Sequence, residues 1–185
     1  MVSLIQLKAY MSIEFSKSSF IGTVFIIFLL FVSYLIVIGH EPYILQNANL
    51  VIHEAGHTIL GFFGEFVGFL GGTIFQIFFP LLFTFYFFNQ QDLFSASIVM
   101  WWLGVNLFEI GTYAADAQVQ LLPLIGGEHD WAYILGHLNL LPQSILIGNI
   151  FHVAGVIAMF VPLFFILFMG VNTYFLEEFE YKEQK

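Results

Sequence analysis

His53, Glu54 and His57 fall within one five-residue run, His-Glu-Ala-Gly-His. On a helix, positions i and i+4 share a face about one turn apart, so both imidazoles reach the same ion while Glu54 projects beside them. A neutral imidazole is a zinc ligand, and an adjacent carboxylate is placed to take a proton from water that the ion activates. This is the H-E-x-x-H pattern of zinc hydrolases. Zn2+ is therefore the expected cofactor, with His53 and His57 as ligands and Glu54 as general base.

Two protein ligands leave a zinc site incomplete, because catalytic sites normally use three. The stretch Gly126-Gly127-Glu128-His129-Asp130 concentrates His and carboxylate side chains after a flexible glycine pair and opens a short apolar segment. Asp130 and His129 are the expected further ligands, and Asp130 could equally serve as the N-cap of the helix that follows. Asp116 is a reserve ligand. It shares a helix face with Glu109 and Asn106, a polar stripe that could line a water path, orient a ligating imidazole or bond between helices. His137, two turns beyond Asp130, is a candidate partner of a ligand; Gln76, Asn149 and His152 read as internal polar contacts.

The elements that must position these groups are apolar. Of 185 residues, 59% are hydrophobic and 9% charged, and 25 are Phe. Soluble domains carry about 25% charged residues, so this chain cannot cover a water-facing surface. It has no Arg and a net charge of −9, which excludes nucleic acid as a partner. It has no Cys, which excludes thiolate chemistry and Cys-type zinc sites. A spanning helix needs about 20 apolar residues, and residues 19–38 meet that length. Further apolar segments cover 49–69, 72–88, 93–115 and 145–170, with 131–141 a shorter crossing or half-helix. The expected fold is all-α: a polytopic transmembrane bundle of about six membrane segments, four if two are re-entrant. Residues 1–18 form an N-terminal segment, 19–170 the membrane domain and 171–185 an acidic C-terminal tail. Lys8 and Lys17 precede the first segment, and Lys182 and Lys185 follow the last. The positive-inside rule then puts both termini in the cytoplasm.

HEAGH within an apolar segment resembles the site-2-type intramembrane metalloproteases, whose motif is H-E-x-G-H. The resemblance covers residues 49–148. It implies His53 and His57 as zinc ligands, Glu54 as general base, and a third ligand from an Asp in a pattern like N-x-x-P-x-x-x-L-D-G. Here Asn139-Leu140-Leu141-Pro142 is followed by Leu146-Ile147-Gly148, and Ile147 stands where that Asp would be. The family's segment after the metal helix can present a backbone edge to an extended substrate, and Gly71-Gly72 is the corresponding candidate.

These readings converge on a zinc metalloprotease embedded in the lipid bilayer, hydrolysing peptide bonds in or near membrane-spanning protein or peptide substrates. A zinc hydrolase of lipid or other amides would use the same residues. A metal-binding or transport protein would not need Glu54 to be a carboxylate.

Overall fold

The structure, a computed structural model, describes residues 19–40, 42–124 and 128–183. The segment 1–18 with Lys8 and Lys17, the Gly126-Gly127 pair and Lys185 lie outside the described residues. The fold is an all-α bundle, with no strand among the described residues. Among the described residues six helices follow in order: α1 (Ser19–Val37), α2 (Tyr43–Leu60), α3 (Glu65–Asn89), α4 (Leu93–Asp116), α5 (Asp130–His137) and α6 (Ser144–Glu183). Short 3-10 turns at Gly61–Phe63 and Leu141–Gln143 lead into α3 and α6.

Helix ends follow local chemistry. Pro42, extended at ψ 124°, precedes α2, as expected of a residue whose fixed φ suits the helix start. Asp92 caps α4 by accepting from Ser95 N at 2.9 Å. Gly64 has φ 109°, a left-handed conformation open to glycine, and this lets α3 fold straight back along α2.

Side-chain pairings give the directions. Gly22 faces Phe94, and Trp101 Nε1 donates to Ser33 Oγ at 2.8 Å, so α1 ascends in the same sense as the first half of α4. Trp102 Nε1 donates to Asn49 Oδ1, and His53 lies against Tyr113, so α2 ascends beside the second half. α3 and α6 run the other way: Gly56 abuts Gly71, and Gly111 abuts Gly148. Ser19 and the later half of α6 consequently share one end of the bundle. The main core joins Ile26, Leu29, Val32 and Ile36 of α1 to Trp101 and Val105 of α4 and to Met159, Leu163 and Ile166 of α6.

Glycine sets the closest approaches. A Cβ at Gly104 would lie 2.5 Å from Met159 N, so α4 and α6 meet backbone to backbone, the packing that small residues permit in membranes. Outward faces are apolar, with Phe28, Phe85 and Phe168 all more than half exposed. A surface of that kind in water would be an aggregation liability. Among the described residues, three helical stretches are long and apolar enough to cross a membrane: α3, α4 and Leu141–Gly170. Ile21–Val37 is apolar but shorter.

Several expected boundaries are corrected. The 131–141 segment forms an eight-residue helix about 12 Å long, too short for a crossing. The chain does not break at Gly71-Gly72; both are buried inside α3, which begins at Glu65. They therefore present no backbone edge, because the helix uses their hydrogen-bonding groups. The break falls at Gly61–Gly64, where the hairpin reverses. The expected C-terminal tail is not among these corrections: its residues 171–183 are helical and continue α6. Trp101 and Trp131 are core residues at 6% exposure.

Candidate metal centre

α2 supplies two imidazoles on consecutive turns. The rings lie 4.6 Å apart at 80° to one another, an edge-to-face arrangement that aims both Nε2 atoms at one point. Asp130, the first residue of α5, arrives there from the other side. Its Oδ2 is 2.9 Å from His53 Nε2 and 3.1 Å from His57 Nε2. His53 and Asp130 are buried, and His57 is half-buried. The ligand-type atoms of these three residues all lie within 4.8 Å of one another.

The tautomers follow from a chain of hydrogen bonds that starts 53 residues away from Asn49. The indole of Trp102 can only donate, so Asn49 Oδ1 accepts and the Asn49 amide nitrogen donates to Glu109 Oε1 at 2.8 Å. Glu109 Oε2 accepts from Gln76 Nε2 at 3.2 Å. That turns the Gln76 carbonyl toward His53, where it accepts from Nδ1 at 2.9 Å. His57 Nδ1 donates to the carbonyl of Gly68 at 2.8 Å. Both imidazoles spend their hydrogen at Nδ1, which leaves lone pairs at both Nε2 atoms.

Three lone-pair atoms thus converge on one point. The sequence has no Lys or Arg between residues 18 and 181, so the Asp130 carboxylate is balanced either by a proton on one imidazole or by a cation bound among the three groups. A divalent ion with ligands at 2.0–2.2 Å in tetrahedral geometry separates them by roughly 3.3 Å. The two distances to Asp130 need only open by a few tenths of an ångström to accept one, so the donor set fits zinc. Protonating both rings instead would place two imidazolium ions side by side.

Glycine shapes the pocket behind the ligands. A Cβ on Gly72 would lie 2.5 Å from Nδ1 and Nε2 of the His53 ring, so α3 offers a flat bed on which that imidazole rests. On the open side is a cleft of about 960 Å³. Glu54 lines it and is exposed, as do Glu65, Glu109, Glu128 and Tyr113.

The other expected ligands lie outside this group. His129 is the N-cap of α5: its Nδ1 accepts from Ala132 N at 3.3 Å. Its Nε2 is 3.4 Å from Asp116 Oδ2, ion-pair range and longer than a good hydrogen bond. Burial pushes the His129 imidazole below its ordinary pKa despite the nearby carboxylate, so it is neutral at pH 7. Capping consumes its lone pair. Asp116 accepts from Leu121 N and Leu122 N at 2.9 and 3.0 Å, which ties down the connection that carries Asp130. The capping role considered for Asp130 thus belongs to its neighbour. Ile147, at the place of the family's Asp, packs among apolar side chains around Trp131 and Ile134. His137 sits between the Phe66 and Tyr133 rings, and His152 Nε2 lies 3.0 Å from Thr112 Oγ1.

Sequence reasoning allowed the stripe of Glu109 to orient a ligating imidazole but read Gln76, which links Glu109 to His53, only as an internal polar contact. It missed Tyr113 altogether, whose hydroxyl accepts from Asp130 N at 3.2 Å. A tyrosine in a run rich in aromatics carries no signal of its own. Comparison with family models, curated proteins and solved structures finds no match for the chain.

Proposed function

We propose that this protein is a membrane-embedded zinc metalloprotease that cleaves peptide bonds in or near membrane-spanning segments. The observation that carries the reading is the convergence of His53 Nε2, His57 Nε2 and Asp130 Oδ2 beside a cleft lined by Glu54. A zinc ion held there supplies a Lewis acid and brings water toward a pKa near 7. Gln76 and the Gly68 carbonyl hold the two imidazoles in the ligating tautomer, and such orienting partners are worth 10–100-fold in metal affinity. The Glu54 carboxylate takes a proton from the attacking water and delivers it to the departing amine, a transfer that contributes about 10²–10⁴-fold. A helical substrate hides its carbonyls in hydrogen bonds, so the scissile stretch must unwind before it enters the cleft.

The directions of the helices support a four-crossing arrangement. α1 and α2 share the length of α4 and make one interrupted crossing; α3, α4 and α6 make three more. An even number puts both termini on one side, which the lysine distribution assigns to the cytoplasm.

Glu54→Gln tests the enzymatic reading. Expressed in cells, the wild type should generate new N-termini in membrane proteins, detected by terminal labelling and mass spectrometry. Glu54→Gln should abolish them while retaining about one zinc per chain. Equal cleavage by the two proteins, or wild-type protein free of metal after purification without chelator, would refute it.

A further inference from the structure

Attack on a carbonyl places negative charge on its oxygen, and apart from any bound ion the side chains of this cleft are poorly suited to receive it. Glu54, Glu65, Glu109, Glu128 and Asp130 line the cleft. No Lys or Arg is within reach in the sequence, and both ligand imidazoles commit their hydrogens elsewhere. Tyr113 is the remaining ionisable side chain in the lining. Its ring centroid is 6.2 Å from that of His53, and its hydroxyl touches the backbone of the ligand Asp130.

A phenol offers one hydrogen as well as its accepting lone pairs. The Asp130 N–H occupies an accepting position, which leaves the O–H to donate into the cleft. We propose that Tyr113 is a catalytic residue, the hydrogen-bond donor to the carbonyl oxygen that gains charge in the reaction. The inference rests on the hydrolase reading above.

Preorganisation distinguishes such a donor from a passing hydroxyl. The Tyr113 ring stacks on His129 at 4.1 Å and 24°. His129 is itself fixed by its cap to Ala132 and its approach to Asp116. The phenol is therefore clamped on a ring that cannot turn freely, with its oxygen at the ligand end of α5. A neutral phenol also suits an acidic cleft, since it carries no charge to be neutralised by the carboxylates and can still donate.

The competing role is structural: the hydroxyl would merely hold Asp130 N, and its loss would loosen the metal. Tyr113→Phe separates the two, because the ring and its stack on His129 persist. The protein, purified in detergent and loaded with Co2+, is titrated first with a competing chelator and then with acetohydroxamate, followed by the visible bands of cobalt. Acetohydroxamate is a metal-binding anion whose oxygens occupy the carbonyl's place. Tyr113→Phe should hold Co2+ within threefold of wild type yet bind acetohydroxamate about tenfold or more weakly, since hydrogen bonds to charged groups are worth about 1.5–3 kcal/mol. Unchanged acetohydroxamate affinity, or a tenfold loss of Co2+, overturns the proposal while leaving the metal reading intact. Failure of wild-type protein to take up Co2+ refutes the metal reading and the inference together.

Discussion

Gly72→Ala adds one methyl group directly against the imidazole of His53, a proposed metal ligand. The new carbon would stand 2.5 Å from Nδ1 and Nε2 of His53, whereas carbon reaches its best contact near 3.5 Å. Ring or helix must therefore retreat by about 1 Å. Retreat of helix α3 would part it from α2 where Gly71 and Gly56 meet backbone to backbone, so the ring is the element that moves more cheaply. If the ring moves, its 2.9 Å bond to Gln76 stretches to about 3.9 Å, which is no longer a hydrogen bond. Overpacking costs about 1–3 kcal/mol, and the lost hydrogen bond adds about 1 kcal/mol. At 1.4 kcal/mol per tenfold, the total of about 2–4 kcal/mol should lower zinc affinity by about 30–700-fold. The measurement is competition with a chromophoric chelator in detergent, with thermal unfolding alongside. Gly136→Ala serves as control, since a Cβ there meets nothing within 4 Å. Zinc affinity within threefold of wild type for Gly72→Ala would refute the argument that the glycine exists to seat the ring.

Gln76→Leu removes the acceptor of the His53 Nδ1 hydrogen without touching a ligand, and should weaken zinc tenfold or more by the same titration. Asp130→Ala should release the metal from purified protein, whereas His129→Ala should retain it and lower the unfolding temperature through loss of an N-cap worth about 1 kcal/mol; elemental analysis showing the reverse order would reassign the third ligand. Chelation of the wild type should destabilise the fold, because a ligand held at 100 times its Kd contributes about 2.7 kcal/mol, and an unchanged unfolding curve after metal removal would contradict an ion joining α2 to α5.

What the sequence made legible follows from periodicity. The i, i+4 spacing of His53 and His57 specifies a shared face in any helix, and apolar composition specifies an all-α bundle. Asp130 was legible only as one of three candidates, because its approach depends on a connection whose path Asp116 fixes through Leu121 and Leu122. Helix boundaries failed where glycine has two uses. Gly64 reverses the chain at φ 109°, while Gly71 and Gly72 bring α3 against α2 and the His53 ring. Composition alone cannot tell a hinge from a contact. The relay from Trp102 to His53 was illegible for a related reason: its members are scattered over α2, α3 and α4, and only packing aligns their donors with acceptors.

The ligands are also separated in time. His53 and Asp130 stand 77 residues apart, so a chain leaving the ribosome presents the two imidazoles long before the carboxylate exists. Until α4 is in place and its end has tied down the connection to α5, the pair can hold an ion only loosely, and Tyr113 has no partner to steady it. The group of three side chains is therefore completed last, with the docking of an eight-residue helix. Under the proposed hydrolase reading, nascent membrane segments emerging nearby would be spared until that last step.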